Sequence, residues 1–141
     1  MNSYLVKLIS IVVICLGLFT QVFAEDAPVE KKEVVKYLSL TPSFVANFGA
    51  SDGKKLKFVK ADISVRASSS EAITEVMDND ALVRHQIVML LSRQTDKKMS
   101  SSAGQEEIRL KALKLVQDAL QEETGSPQIE DLLFTSFIVQ R

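Results

Sequence analysis

An α+β domain, a small antiparallel or mixed sheet in the order β-β-α-α-β with two helices on one face, is the fold this sequence predicts. Three observations lead to it. Two segments alternate apolar and polar residues on either side of a glycine-containing turn, two segments place apolar residues at helical spacing behind serine caps, and the last stretch, IEDLLFTSFIVQR, is densely apolar. The chain has 141 residues with 17 Lys and Arg against 18 Asp and Glu, a formal charge of −1, which suits one globular domain and lacks the basic excess needed to neutralise a phosphate backbone.

The first 24 residues stand apart. Lys7 precedes an apolar run from Leu8 through Ile11, Val12, Ile14, Leu16 and Leu18, and Val22-Phe23-Ala24 resembles a small-x-small cleavage tripeptide. A helix over Leu8 to Phe19 would measure roughly 18 Å, short of a hydrocarbon core of about 30 Å. Residues 1–24 are therefore read as a secretory signal peptide cut after Ala24, or alternatively as a short uncleaved anchor. Both readings leave Lys7 in the cytoplasm and send the rest of the chain across the membrane. Cys15 follows Ile14 where a lipoprotein signal needs a small residue, so it is an apolar helix residue here. The exported part then holds no cysteine, which points to a bacterial periplasm. Residues 25–36, charged and containing Pro28, form a linker, and the folded domain spans 37–141.

Within that domain, YLSLTPSFVANF alternates around Leu38, Leu40, Phe44, Ala46 and Phe48, with Pro42 marking an edge strand or a bulge. Gly49 and Gly53 bound the turn. LKFVKADISVRA then sets apolar Val59, Ala61, Ile63 and Val65 against a charged opposite face, which predicts a half-buried hairpin. Ser68-x-x-Glu71 and Ser102-x-x-Gln105 read as capping boxes. Between them Ile73, Val76 and Met77, and then Val83, Ile87, Leu90 and Leu91, recur at helical spacing, with an interruption expected at Asp78 to Asp80 and a polar loop at DKKMSSS. The last helix buries a stripe of Ile108, Ala112, Leu115, Val116, Ala119 and Leu120, stopped by Gly125 and Pro127. The final segment, apolar on both faces, is expected to be a central strand buried on two sides.

The candidates for chemistry are few. With one Cys and one His, no Cys/His zinc site can be built, and a nucleophile-base pair could use only His85, which no G-x-S-x-G elbow accompanies. Glu75, Asp78 and Asp80 lack the glycine and terminal glutamate of an EF-hand loop. No catalytic, metal-ligating or cofactor-binding residue is assigned, no nucleic acid or small-molecule substrate is expected, and the chain is read as a non-enzyme. Arg84 and Arg93, at the edge of the apolar helix face, are the candidate subunit contacts.

The ordered set Tyr37-Leu38-x-Leu40-x-Pro42-x-Phe44-Val45-x-Asn47, LKFVKADISV, ALVRHQIVMLLSRQT, Gly104-Gln105-Glu106 and the closing FTSFIVQ resembles the flagellar basal body-associated FliL family, over about Tyr37 to Arg141. The resemblance implies a fold similar to the stomatin/prohibitin core. It implies a periplasmic domain at the inner membrane, a homo-oligomeric ring around stator units of the basal body, and support of swimming or swarming motility and chemotaxis. The family pattern includes a longer cytoplasmic tail and a full transmembrane helix, whereas the tail and apolar run here are short. A general periplasmic scaffold or binding module of the same fold is the alternative.

Overall fold

The computed structural model describes residues 36–49 and 56–141; the segment read as signal or anchor, the linker up to Val35, and Gly53 lie outside them. Three strands, β1 (Lys36–Asn47), β2 (Phe58–Ala67) and β3 (Ile129–Gln140), form an antiparallel sheet in the order β1-β2-β3. Between β2 and β3 run α1 (Ser70–Asp78), α2 (Asp80–Ser92), the single turn α3 (Asp96–Met99) and α4 (Ser102–Thr124). The α+β class and the hairpin of the first two strands are as the alternation predicts.

Strand β2 buries Val59, Ala61, Ile63, Val65 and Ala67, every second residue, and the helices answer with Val76, Val83, Ile87, Leu91, Ile108, Ala112, Val116 and Leu120. One sheet face and one stripe of each helix thus close a single two-layer core. Strand β1 contributes Leu40, Phe44 and Ala46. Its ladder slips between Leu40 and Phe44, where Leu40 faces Ile63 and Phe44 faces Ala61, so the extra residues around Pro42 bulge out and alternation resumes on the same face.

Strand β3 corrects the expectation of a central, doubly buried strand. It lies at the sheet edge, and β2 takes the centre. What makes its run seem apolar on both faces is a pair of bulges. The register jumps from Asp62↔Ser136 to Ile63↔Phe134, leaving Thr135 unpaired, and again between Arg66↔Asp131 and Ala67↔Ile129. Each extra residue reverses the alternation, so Leu132, Phe134, Phe137 and Val139 all turn toward the helices, and a run that seems apolar on two faces has one main apolar face. Phe134 and Phe137 meet there with ring centroids 5.0 Å apart.

The helix starts are shifted by one residue from the expected capping boxes. Ser69, extended at φ −153°, accepts from the Ala72 N–H, and Ser101 accepts from the Gly104 N–H. Runs of consecutive serines offer several caps, and the one whose third following residue begins the turn is used. Gln105, freed from the cap, donates to the Met99 carbonyl. Asn79 separates α1 from α2, its side chain closing on the Glu75 carbonyl, where the interruption was expected. The expected polar loop contains α3 instead, because Met99 is fully buried and anchors it. Leu115 is the other correction: it is 38% exposed, whereas its neighbour Val116 is fully buried. Gly125 ends α4 in the left-handed region at φ 78°, as the stop signal predicts.

Candidate functional site

Helix α2 carries Arg84 and ends at Arg93, its C-cap, and the structure gives the two candidate arginines separate surroundings. Nine residues at about 100° each place Arg84 and Arg93 on opposite sides of the helix. Arg84 points at β1. Its Nε lies 2.9 and 3.1 Å from the carboxylate oxygens of Asp80 one turn earlier, its Nη1 donates to the Pro42 carbonyl at 2.9 Å, and its guanidinium sits 4.7 Å from the centroid of the Phe44 ring. The arginine thereby satisfies a carbonyl exposed by the β1 bulge and stacks on a core aromatic ring. Its side chain is 21% exposed, with Nε and Nη1 engaged within its own chain and Nη2 buried without a hydrogen-bond partner among the described residues. Arg93 follows the last residue of α2, donates its backbone N–H to the Leu90 carbonyl, and leaves its side chain exposed. His85, next to Arg84, is exposed as well.

A second charged cluster joins α3, α4 and β3, and sequence reasoning did not find it. Arg109 on α4 donates to both Glu106 oxygens from Nε and Nη2, and its Nη1 reaches Asp131 at 2.6 Å and the Leu132 carbonyl at 2.9 Å on β3. The bond to Glu106 raises the guanidinium's already high pKa; partial burial opposes this and Asp131 adds to it. The Glu106 carboxyl is lowered in return by Arg109. One helical step away, Glu107 is held by Lys111 at 2.8 Å and Lys98 at 2.5 Å, and these two ammonium groups bring its pKa down to about 2. The i,i+3 spacing of Glu106 and Arg109 is visible in sequence. Asp131, 22 positions on, is not, because nothing local links it to α4.

These clusters position elements against one another. Every cation of the second cluster is matched to a carboxylate, and among the described residues no three His, Cys, Asp or Glu side chains come together as a metal site. Glu75, Asp78 and Asp80 do not converge; Asp80 is occupied with Arg84. The hollow along β1 and α1, lined by Leu38, Leu40, Met77 and Asp80, holds about 250 Å³. No helix among the described residues is long and apolar enough to cross a membrane.

Comparison with known proteins supplies the rest. The family model of flagellar basal body-associated protein FliL matches residues 37–140, from the second residue of β1 to the end of β3. The chain is also 25% identical over 108 residues to the flagellar protein FliL of Aquifex aeolicus, an alignment covering 77% of this chain and 63% of that relative. The chain thus matches under two thirds of its relative's length. With a matched segment that starts and stops with the sheet, this chain belongs to the flagellar basal body-associated FliL family.

Proposed function

We propose that this protein is a non-enzymatic accessory of the flagellar basal body that supports the stator units during swimming and swarming, and through them chemotaxis. The observation behind this reading is the family match over residues 37–140, which spans the whole sheet and every helix between its strands. The apolar run after Lys7 supports delivery to the inner membrane with the domain on the periplasmic side, retained there by an uncleaved anchor or released by cleavage after Ala24. A homo-oligomeric ring around the stators suits a domain whose charged clusters brace its own elements, since holding neighbours in place requires surface and no reactive group. Arg93, exposed at the end of α2, is the stronger of the two candidate subunit contacts; Arg84 contributes chiefly through the helix it orients.

Deleting the gene tests this. The deletion strain is expected to build filaments yet swim or swarm poorly, most clearly under high viscous load, and the full chain supplied in trans restores motility. Normal motility at low and high load with unchanged stator localisation would overturn the reading in favour of a general periplasmic scaffold.

A further inference from the structure

The helices cover one face of the sheet, and the register orders what the other face presents. Val45, Lys60 and Ile138 form one row across the three strands; Asn47, Phe58 and Gln140 form the next row, and Asp62 lies opposite Ser136 on the other side. Val45 is 58% and Ile138 53% exposed, so this uncovered face sets an apolar side chain on either side of the central strand. Lys60 and Asp62 are successive residues of that face, about 7 Å apart along β2. Lys60 is exposed and has no carboxylate within ion-pair reach among the described residues. Asp62 receives the Ser43 hydroxyl at 2.5 Å and, among the described residues, no cation.

One cation and one anion on successive rows of a central strand make a self-complementary surface. A half-turn about an axis running across the strands, between the two rows, lays Lys60 of each copy over Asp62 of the other. The same operation brings Val45 and Ile138 diagonally toward their own symmetry mates on either side of the charges. A partner of net positive or negative charge would leave Asp62 or Lys60 facing its like, whereas a second copy answers both. We propose that the outer face of the sheet is a two-fold contact between two copies of this chain, closed by reciprocal Lys60 and Asp62 pairs. The contact needs only the domain itself and holds whether or not the motor reading does. Three strands about 4.8 Å apart and ten residues long at about 3.3 Å each present roughly 450 Å² per copy, before side-chain relief is counted. Roughly 900 Å² for the pair falls at the small end of specific interfaces, so the association is weak and reversible.

Sedimentation of the full chain in detergent micelles, over a rising concentration series, is the test. The wild-type chain should pass from monomer to dimer, and zero-length carbodiimide coupling of mixed light and heavy-isotope chains should yield a Lys60–Asp62 peptide of mixed label. Lys60→Asp and Asp62→Lys should each lower the dimer association constant by roughly tenfold or more, since each sets like charges face to face. Mixing the two variants should restore the dimer, because every facing pair is then of opposite sign, and the double variant should restore it within one chain. The rescue by mixing also shows that both single variants are folded. A chain monomeric at every concentration, a dimer indifferent to either single change, or no rescue in the mixture and the double variant would each overturn the proposal.

Discussion

Arg84 and Arg93 differ most clearly in what removing each costs. Arg84→Ala deletes a hydrogen bond to the Pro42 carbonyl, an ion pair with Asp80 and the stack on Phe44, so chemical denaturation should show a loss of about 1–2 kcal/mol. Arg93→Ala, at an exposed helix end, should stay within about 0.5 kcal/mol of the parent. Arg93→Glu should instead weaken assembly on the motor, seen as fewer fluorescent copies per basal body, with the melting temperature unchanged. Leu91 and Leu115 form a similar contrast. Leu91 is fully buried, and its change to Ala should cost about 2–5 kcal/mol through the cavity left behind; Leu115→Ala, at a site 38% exposed, should cost under about 1 kcal/mol. Glu107 predicts a pH dependence. Its carboxyl is lowered from 4.5 to about 2 by Lys111 and Lys98, so the folded state favours the ionised form. That stabilisation is complete above pH 4.5 and is lost as the pH falls toward 2. The stability difference between the parent and Glu107→Gln should therefore be constant from pH 7 to pH 5 and shrink between pH 4.5 and 2, as melting curves at each pH would show.

At the scale of elements, α3 and α4 meet backbone against backbone at Gly104. A Cβ on Gly104 would lie 2.2 Å from the Lys98 carbonyl oxygen and 2.7 Å from the Lys98 Cα, closer than atoms can approach. Alanine is the better helix former by about 1 kcal/mol, yet Gly104→Ala should destabilise by about 1–3 kcal/mol, because backbone must move to admit the methyl group. A calorimetric gain in stability would show that α3 yields freely. The same junction explains which parts of the fold the sequence reveals. Period-two alternation in β1 and β2 and the spacing of Val83, Ile87 and Leu91 are local signals, and the structure follows them. Strand β3 was misplaced because bulges at Thr135 and near Glu130 are set by pairing with β2, a partner more than 60 residues earlier, and leave no local mark. Helix α3 was missed for a related reason: four residues are too few to show a period, and only burial of Met99 against distant elements makes them a turn. The ionic strap from Arg109 to Asp131 is hidden likewise, whereas Arg84 and Arg93 were identified as residues but not as occupants of opposite helix sides.

For the whole molecule, the proposed accessory role predicts tolerance at the one histidine. His85→Ala should leave swimming speed and swarm diameter at parental values, since the imidazole lies exposed on α2 and that role asks nothing of it. A non-motile His85→Ala strain with normal protein levels would revive a catalytic or proton-linked role. The position of β3 carries a consequence in time. Strand β2 is completed on one side by its hairpin neighbour β1, but its other side waits for a strand that follows α1 to α4 in the chain. Two-stranded hairpins are marginal alone, and pairings across long sequence separations form slowly. Any process that delivers this chain from its amino end, synthesis on a ribosome or threading through a membrane channel, therefore leaves the nascent domain open-edged and pliable until Ile129–Gln140 emerges, and the last strand of the sheet to arrive is the one that locks the other two.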